Sequence, residues 1–255
     1  MFGAALRAGF GTSPRRKLRT GLAVPGFVGH TTGGGFGSPA IITPPAGSVG
    51  DLILIHLSRQ STQDPPFVQS AGETIAEFSQ GVQGTAGWLA GWRLRTGADT
   101  TYSFTVPPGN ASAFWNCYAL SGVDPTNPIN TWSQQGDATN PINLPALSVD
   151  ITNVMLLHFV FMAEASGEHV ITPPGGSETV DHNAGHSGVT HAAAREPFAA
   201  GGGTGQRIWT LSHNENNHGF LIAAAPIEVA PDKLELETTS DNLLFEDSSG
   251  VLLLE

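Results

Sequence analysis

Gly50-Asp51-Leu52-Ile53-Leu54-Ile55-His56-Leu57 is an unbroken apolar run entered through a Gly-Asp turn. Every side chain from Leu52 to Ile55 is apolar, so alternation cannot assign one face to water. A strand covered on both faces has this composition. A near copy returns at Thr152-Asn153-Val154-Met155-Leu156-Leu157-His158-Phe159. In the direct alignment Asp51 matches Asn153 and His56 matches His158.

Working outward, the segments around each run have period two. Trp88, Ala90, Trp92 and Leu94 alternate with Leu89, Gly91, Arg93 and Arg95, and Tyr102, Phe104 and Val106 fall on one face of the next strand. Phe114 to Leu120 is again nearly all apolar. The order of strand types recurs after residue 152, which predicts an internal duplication with repeats at about 50–123 and 152–229. Two such units packed face to face predict an all-β, two-sheet, jelly-roll-like sandwich of roughly ten strands. Two separate small sandwiches are the alternative.

Composition agrees. Of 255 residues, 32 are Gly and 18 Pro, while only 13% are charged. Turn-rich and charge-poor chains of this size suit a β-sandwich. Residues 1–20 form a basic arm with Arg15, Arg16 and Lys17 at its centre and no acid. Residues 21–230 are the sandwich, and residues 231–255 an acidic tail. A net charge of -11 argues against a nucleic-acid surface, which needs clustered Lys and Arg. No apolar run approaches the roughly 20 residues of a membrane helix, and no secretory signal is expected. Cys117 is the single cysteine, expected as a small buried hydrophobe.

The tail repeats Leu-Glu-rich groups every nine residues, at Leu234–Glu237, Leu243–Glu246 and Leu252–Glu255, separated by turn formers. A three-stranded meander follows, too small for a core of its own. Leu236, Leu243, Phe245, Leu252 and Leu254 are its candidate assembly residues, with Arg15, Arg16 and Lys17 at the other end.

Motifs for chemistry are sparse. Asp181, His182, His186 and His191 cluster in sequence, but their spacing matches no zinc signature. Structural or exposed histidines are therefore expected, and His182, His186 and His191 are the candidates should a metal bind. His56 and His158, inside apolar strands, read as core histidines. No G-x-S-x-G elbow is present, and no pair of carboxylates is singled out for glycoside hydrolysis. No catalytic residue and no cofactor is expected. Gly33-Gly34-Gly35 and Gly201-Gly202-Gly203 read as loops. The segment 124–143 reads as the crossover between repeats, with Trp132 as a loop aromatic able to stack on a sugar.

The Gly50–Leu54 run, the Trp92-Arg93-Leu94 strand and Leu120-Ser121-Gly122-Val123-Asp124-Pro125 together resemble β-sandwich proteins of tailed-phage and prophage structural modules. The terminal Leu-Leu-Leu-Glu groups are similar to short C-terminal extensions on phage virion proteins. The resemblance implies a non-enzymatic virion component: a tail, baseplate or spike piece, or a capsid-surface protein. It also implies a homo-oligomer, a trimer first, with other virion proteins as partners. A carbohydrate-binding attachment module recognising a host-surface glycan is the alternative, and a glycan-active enzyme a third.

Overall fold

A computed structural model describes residues 23–36, 38–60, 65–97, 101–106, 112–137, 140–163, 170–183, 189–228, 245–246 and 252–253. They are strands and turns, with no helix among them. The first half contributes β1 (Gly26–Phe36), β2 (Ala40–Ile42), β3 (Leu52–Gln60) and β4 (Val68–Ala71). It continues with β5 (Ala76–Gln83), β6 (Ala86–Leu94), β7 (Tyr102–Thr105) and β8 (Ser112–Ser121). The second half starts with β9 (Ile129–Asp137), β10 (Ile142–Leu144), β11 (Ser148–Val149) and β12 (Val154–Ala163). After it come β13 (Ile171–Thr172), β14 (Glu178–Asn183), β15 (Val189–Phe198), β16 (Gly202–Gly203), β17 (Arg207–Leu211) and β18 (Asn216–Ala224). In the tail, β19 (Phe245–Glu246) pairs with β20 (Leu252–Leu253).

Each half builds one five-stranded and one three-stranded sheet, in matching order. The first has β1-β8-β3-β6-β5 and β2-β7-β4; the second has β9-β18-β12-β15-β14 and β10-β17-β13. The five-stranded sheets face each other across one core, which holds Leu52, Leu54, Tyr118, Leu157, Phe159 and Phe220. Behind each lies a second core under its own three-stranded sheet. One contains Ile53, Ile55, Tyr102 and Phe104, the other Leu156, Val160, Trp209 and Leu211. The all-β sandwich thus has four layers, two short sheets being added outside the ten-strand pair. This is why β3 and β12 are apolar on both faces: each is the middle strand of an inner layer.

The register corrects the alignment of the two runs. Leu52 pairs with Leu94 and Leu120, while Met155 pairs with Pro197 and Ala224. His56 pairs with Ala90 and Asn116, as Phe159 does with Ala193 and Phe220. Leu52 therefore corresponds to Met155 and His56 to Phe159, not to His158. The entry turns agree: Gly50 and Asn153 are both left-handed, with φ of 91° and 61°. Their amides donate to the carbonyls of Arg95 and Ala199, just beyond the neighbouring strands. A slip of one residue flips every side chain to the other face, so His56 points between the halves and His158 away from them.

Gly33-Gly34-Gly35 is strand, not loop, because aromatic rings of β8 lie across it. A Cβ on Gly33 would stand 2.6 Å from Trp115, and one on Gly34 would stand 2.1 Å from Phe114. Cross-strand aromatics over edge glycines recover the packing that glycine gives up. Gly34→Val is expected to displace the Phe114 ring and lower stability by about 1–3 kcal/mol. Urea unfolding checks this, and an unchanged midpoint would show that the ring moves at no cost. Gly202-Gly203 likewise forms β16, paired with Ser148-Val149.

Candidate functional site

The residues singled out from sequence are dispersed by the fold. Trp132 lies in strand β9, an edge strand whose polar residues gave it the look of a loop. It is 37% exposed, and its ring centroid is 5.5 Å from Phe78 and 6.4 Å from Phe220. Because Phe78 belongs to β5 of the opposite sheet, Trp132 closes the rim between the halves. His182 is paired in β14 with Ala192. His191 is buried in β15. His186, the side chain of His182, Arg15, Arg16, Lys17, Leu236, Leu243 and Leu254 lie outside the described residues, as do the side chains of Phe245 and Leu252. Among the described residues no group of three His, Cys, Asp or Glu could hold a metal ion. Cys117 is buried in the outer core of the first half.

What the topology does gather is a polar centre between the two five-stranded sheets. His56, Ser58 and Asn116 project from β3 and β8 of the first half, all 1% exposed or less. They correspond to Phe159, Phe161 and Phe220 of the second half and face them. The His56 ring lies 5.8 Å from Phe159, 5.5 Å from Phe161 and 5.9 Å from Phe220. His218 of β18 stacks on Trp88 of β6, with centroids 3.7 Å apart and planes at 16°. His191 meets Phe114 edge-on at 6.3 Å, and its Nε2 is 3.4 Å from the Thr32 hydroxyl. In the matching register His191 corresponds to Trp88 and His218 to Phe114. The two aromatic pairs thus join corresponding positions of the two halves, one stacked and the other edge-on.

Burial holds the imidazoles of His56 and His218 neutral. His56 is pushed well below the usual histidine range, first by loss of hydration and then by the charges His191 and His218 would carry. Desolvation pushes His218 down to about 3. A cation over an aromatic face gains about 0.5–2 kcal/mol, whereas burying an ion costs several, so desolvation wins. Both ring nitrogens of His56, the Ser58 hydroxyl, the Asn116 amide and Nδ1 of His218 find no hydrogen-bond partner among the described residues. Unpaired buried polar groups each cost about 1–3 kcal/mol. The contact between the halves therefore carries a cost that its apolar packing has to offset.

A second polar group lies on the outside of the second half. Arg207 donates to both carboxylate oxygens of Glu196, and the Ser177 hydroxyl donates to Glu196 Oε2 at 3.1 Å. Glu196 and Arg207 border a shallow concavity of about 560 Å³ lined also by Pro174, Gly175, Pro197 and Ile208. Arg207 is saturated by Glu196 and the carbonyls of Thr204 and Gly205, so it joins loops rather than offering an anion site. His158 Nε2 stands 3.9 Å from Glu196, beyond hydrogen-bond reach. Burial, then the Arg207 charge, lowers His158 to about 3. A serine, a carboxylate and a histidine do meet here. The carboxylate sits between the other two, however, and is held by Arg207, and the histidine is fully buried, so no imidazole addresses the hydroxyl.

Sequence reasoning missed the central histidines as a group, because β3, β15 and β18 are far apart in the chain. The usable signal was that each lies inside a strand otherwise built to be buried. No family model, curated protein or solved structure matches the chain.

Proposed function

We propose that the protein is a non-enzymatic structural component of a tailed-phage virion, assembling through its terminal segments. The observation that carries an assembly role is the tail. β19 and β20 pair with each other, Phe245 opposite Leu253 and Glu246 opposite Leu252, as a separate two-stranded sheet. Among the described residues this sheet hydrogen-bonds to neither half. A two-stranded sheet alone is marginal in water, and the leucine-rich composition of the segment calls for an apolar partner. Equivalent tails from other copies supply one, with a trimer as the expected state. The virion context rests on the resemblance of Gly50–Leu54, Trp92–Leu94 and Leu120–Pro125 to phage modules. We read each half as a jelly-roll unit and the chain as its duplication, on the matched strand orders and registers.

Molar mass by light scattering tests this on the full chain, a chain ending at Ala230, and Leu243→Asp/Leu252→Asp in the full chain. An oligomer that becomes a folded monomer in both altered forms is expected. A monomer in all three excludes tail-driven assembly and moves glycan binding, tested with Trp132→Ala on a glycan array, to the front.

A further inference from the structure

The seam between the halves combines features that packing alone does not require. At the positions equivalent to His56 and His218 the other half carries Phe159 and Phe114, and both are buried in the same core. Phenyl rings are thus compatible with these strand positions. At His56 and His218 the imidazole adds the ability to take up a proton.

We propose that the seam is an acid-opened joint: protonation of His56 and His218 parts the two halves, each remaining folded. Three observations support it. The groups facing His56 are Asn116 and Tyr118 from β8, Phe159 and Phe161 from β12, His191 from β15, and His218 from β18. The charges that act on His56 are those of the two histidines, so a proton arriving there meets like charge rather than a carboxylate. His218 faces Trp88, Phe161 and Phe220, and loss of hydration lowers it. Second, each half keeps a complete core of its own beneath its three-stranded sheet, so separation leaves two packed units. Third, the halves are tied at one end. There Asp124 N–H donates to the Ala225 carbonyl, Ala225 N–H to Pro128, and Ile227 N–H to Gly122. Away from that end Asn216 donates to Thr85 at 3.0 Å, the Thr32 hydroxyl meets His191, and Arg195 lies over the Phe27 ring, 4.4 Å from its centroid. This arrangement is a hinge with a breakable face.

The test places spin labels on the two outer sheets of the full chain, through Thr105→Cys and Thr210→Cys. Both positions are exposed, whereas Cys117 is buried. Four layers spaced about 10 Å apart put the labels roughly 30 Å from each other. Labelled chain is diluted with unlabelled chain so that only distances within one molecule are read. Between about pH 7.5 and pH 4.5 a longer distance is expected to grow in, reversibly, while the far-UV strand signal persists. His56→Phe/His218→Phe is expected to move the midpoint down by about one pH unit or more, and each single change by less. His158→Leu, outside the seam, is expected to leave it in place. The joint is refuted by an unchanged distance throughout, by loss of strand signal at the same midpoint as the distance change, or by an equal midpoint in the phenylalanine variants. Should the double variant not fold, the single variants and the wild-type comparison of distance with strand signal decide the matter.

Discussion

Trp209→Ala is expected to cost about 3–5 kcal/mol, enough to remove much of the stability of a typical domain. Trp209 is fully buried and is among the largest side chains with no exposure. It lies in β17 between β10 and β13, in the core beneath the second half's three-stranded sheet. The short sheet has only ten residues in its three strands, so one indole supplies much of what holds it down. Truncation leaves a cavity that the strands cannot close without breaking their pairing with Ile142 and Leu144. Trp209→Phe is expected to cost far less, about 1 kcal/mol. The indole N–H has no hydrogen-bond partner among the described residues, and its removal relieves a buried donor. Urea unfolding of both variants separates the two effects. Equal losses would mean that a phenyl ring does not fill the space the indole occupies.

His158→Leu is expected to make the protein less sensitive to acid by about 2 kcal/mol between pH 7.5 and pH 5. Above about pH 6.5 an imidazole is neutral whether folded or unfolded, and contributes no pH dependence. Below that value the unfolded chain binds a proton that folded His158, lowered to about 3, refuses. Stability present at neutral pH is therefore lost as pH falls from about 6.5 toward 3, at about 1.4 kcal/mol per unit. Leucine at this position has no proton to bind in either state. It also fills the site beside Trp209, whose ring meets His158 edge-on at 6.0 Å, without two unpaired nitrogens. The measurement is the difference in unfolding free energy between the two pH values, for wild type and variant. Identical differences would show that His158 takes up its proton in the folded state, through Glu196.

Much of the architecture was legible in the chain because its signals are local. Leu52–Leu57 and Val154–Met162 lack alternation, and strands covered on both faces were the correct inference. Trp88, Trp92 and Leu94 on one face, and Tyr102, Phe104 and Val106 on one face, follow from period two alone and pack as expected. The two outer sheets were not legible as sheets. Ala40–Ile42, Ile142–Leu144 and Ile171–Thr172 are three residues or fewer, too short for any period to register. Nor could the chain reveal that His56 and His158 face opposite ways. The direct alignment gives the higher similarity, yet a one-residue shift is what pairing and the left-handed Gly50 and Asn153 require. The glycine run misled for a related reason: its meaning lies in Trp115 and Phe114, eighty residues away. Position along the chain says little about partners across a sheet, and the central polar group is made wholly of such partners.

The matched halves carry a consequence for concentration. Residues 122–128 join two faces that are complementary to each other in every copy, so the first half of one molecule fits the second half of another as well as its own. A short linker gives the attached partner an effective concentration in the millimolar range. At ordinary concentrations the pairing of the two halves within one chain wins. Where chains are packed at comparable density, or where the linker is stiffened, exchange of halves between neighbours becomes competitive without a single new contact.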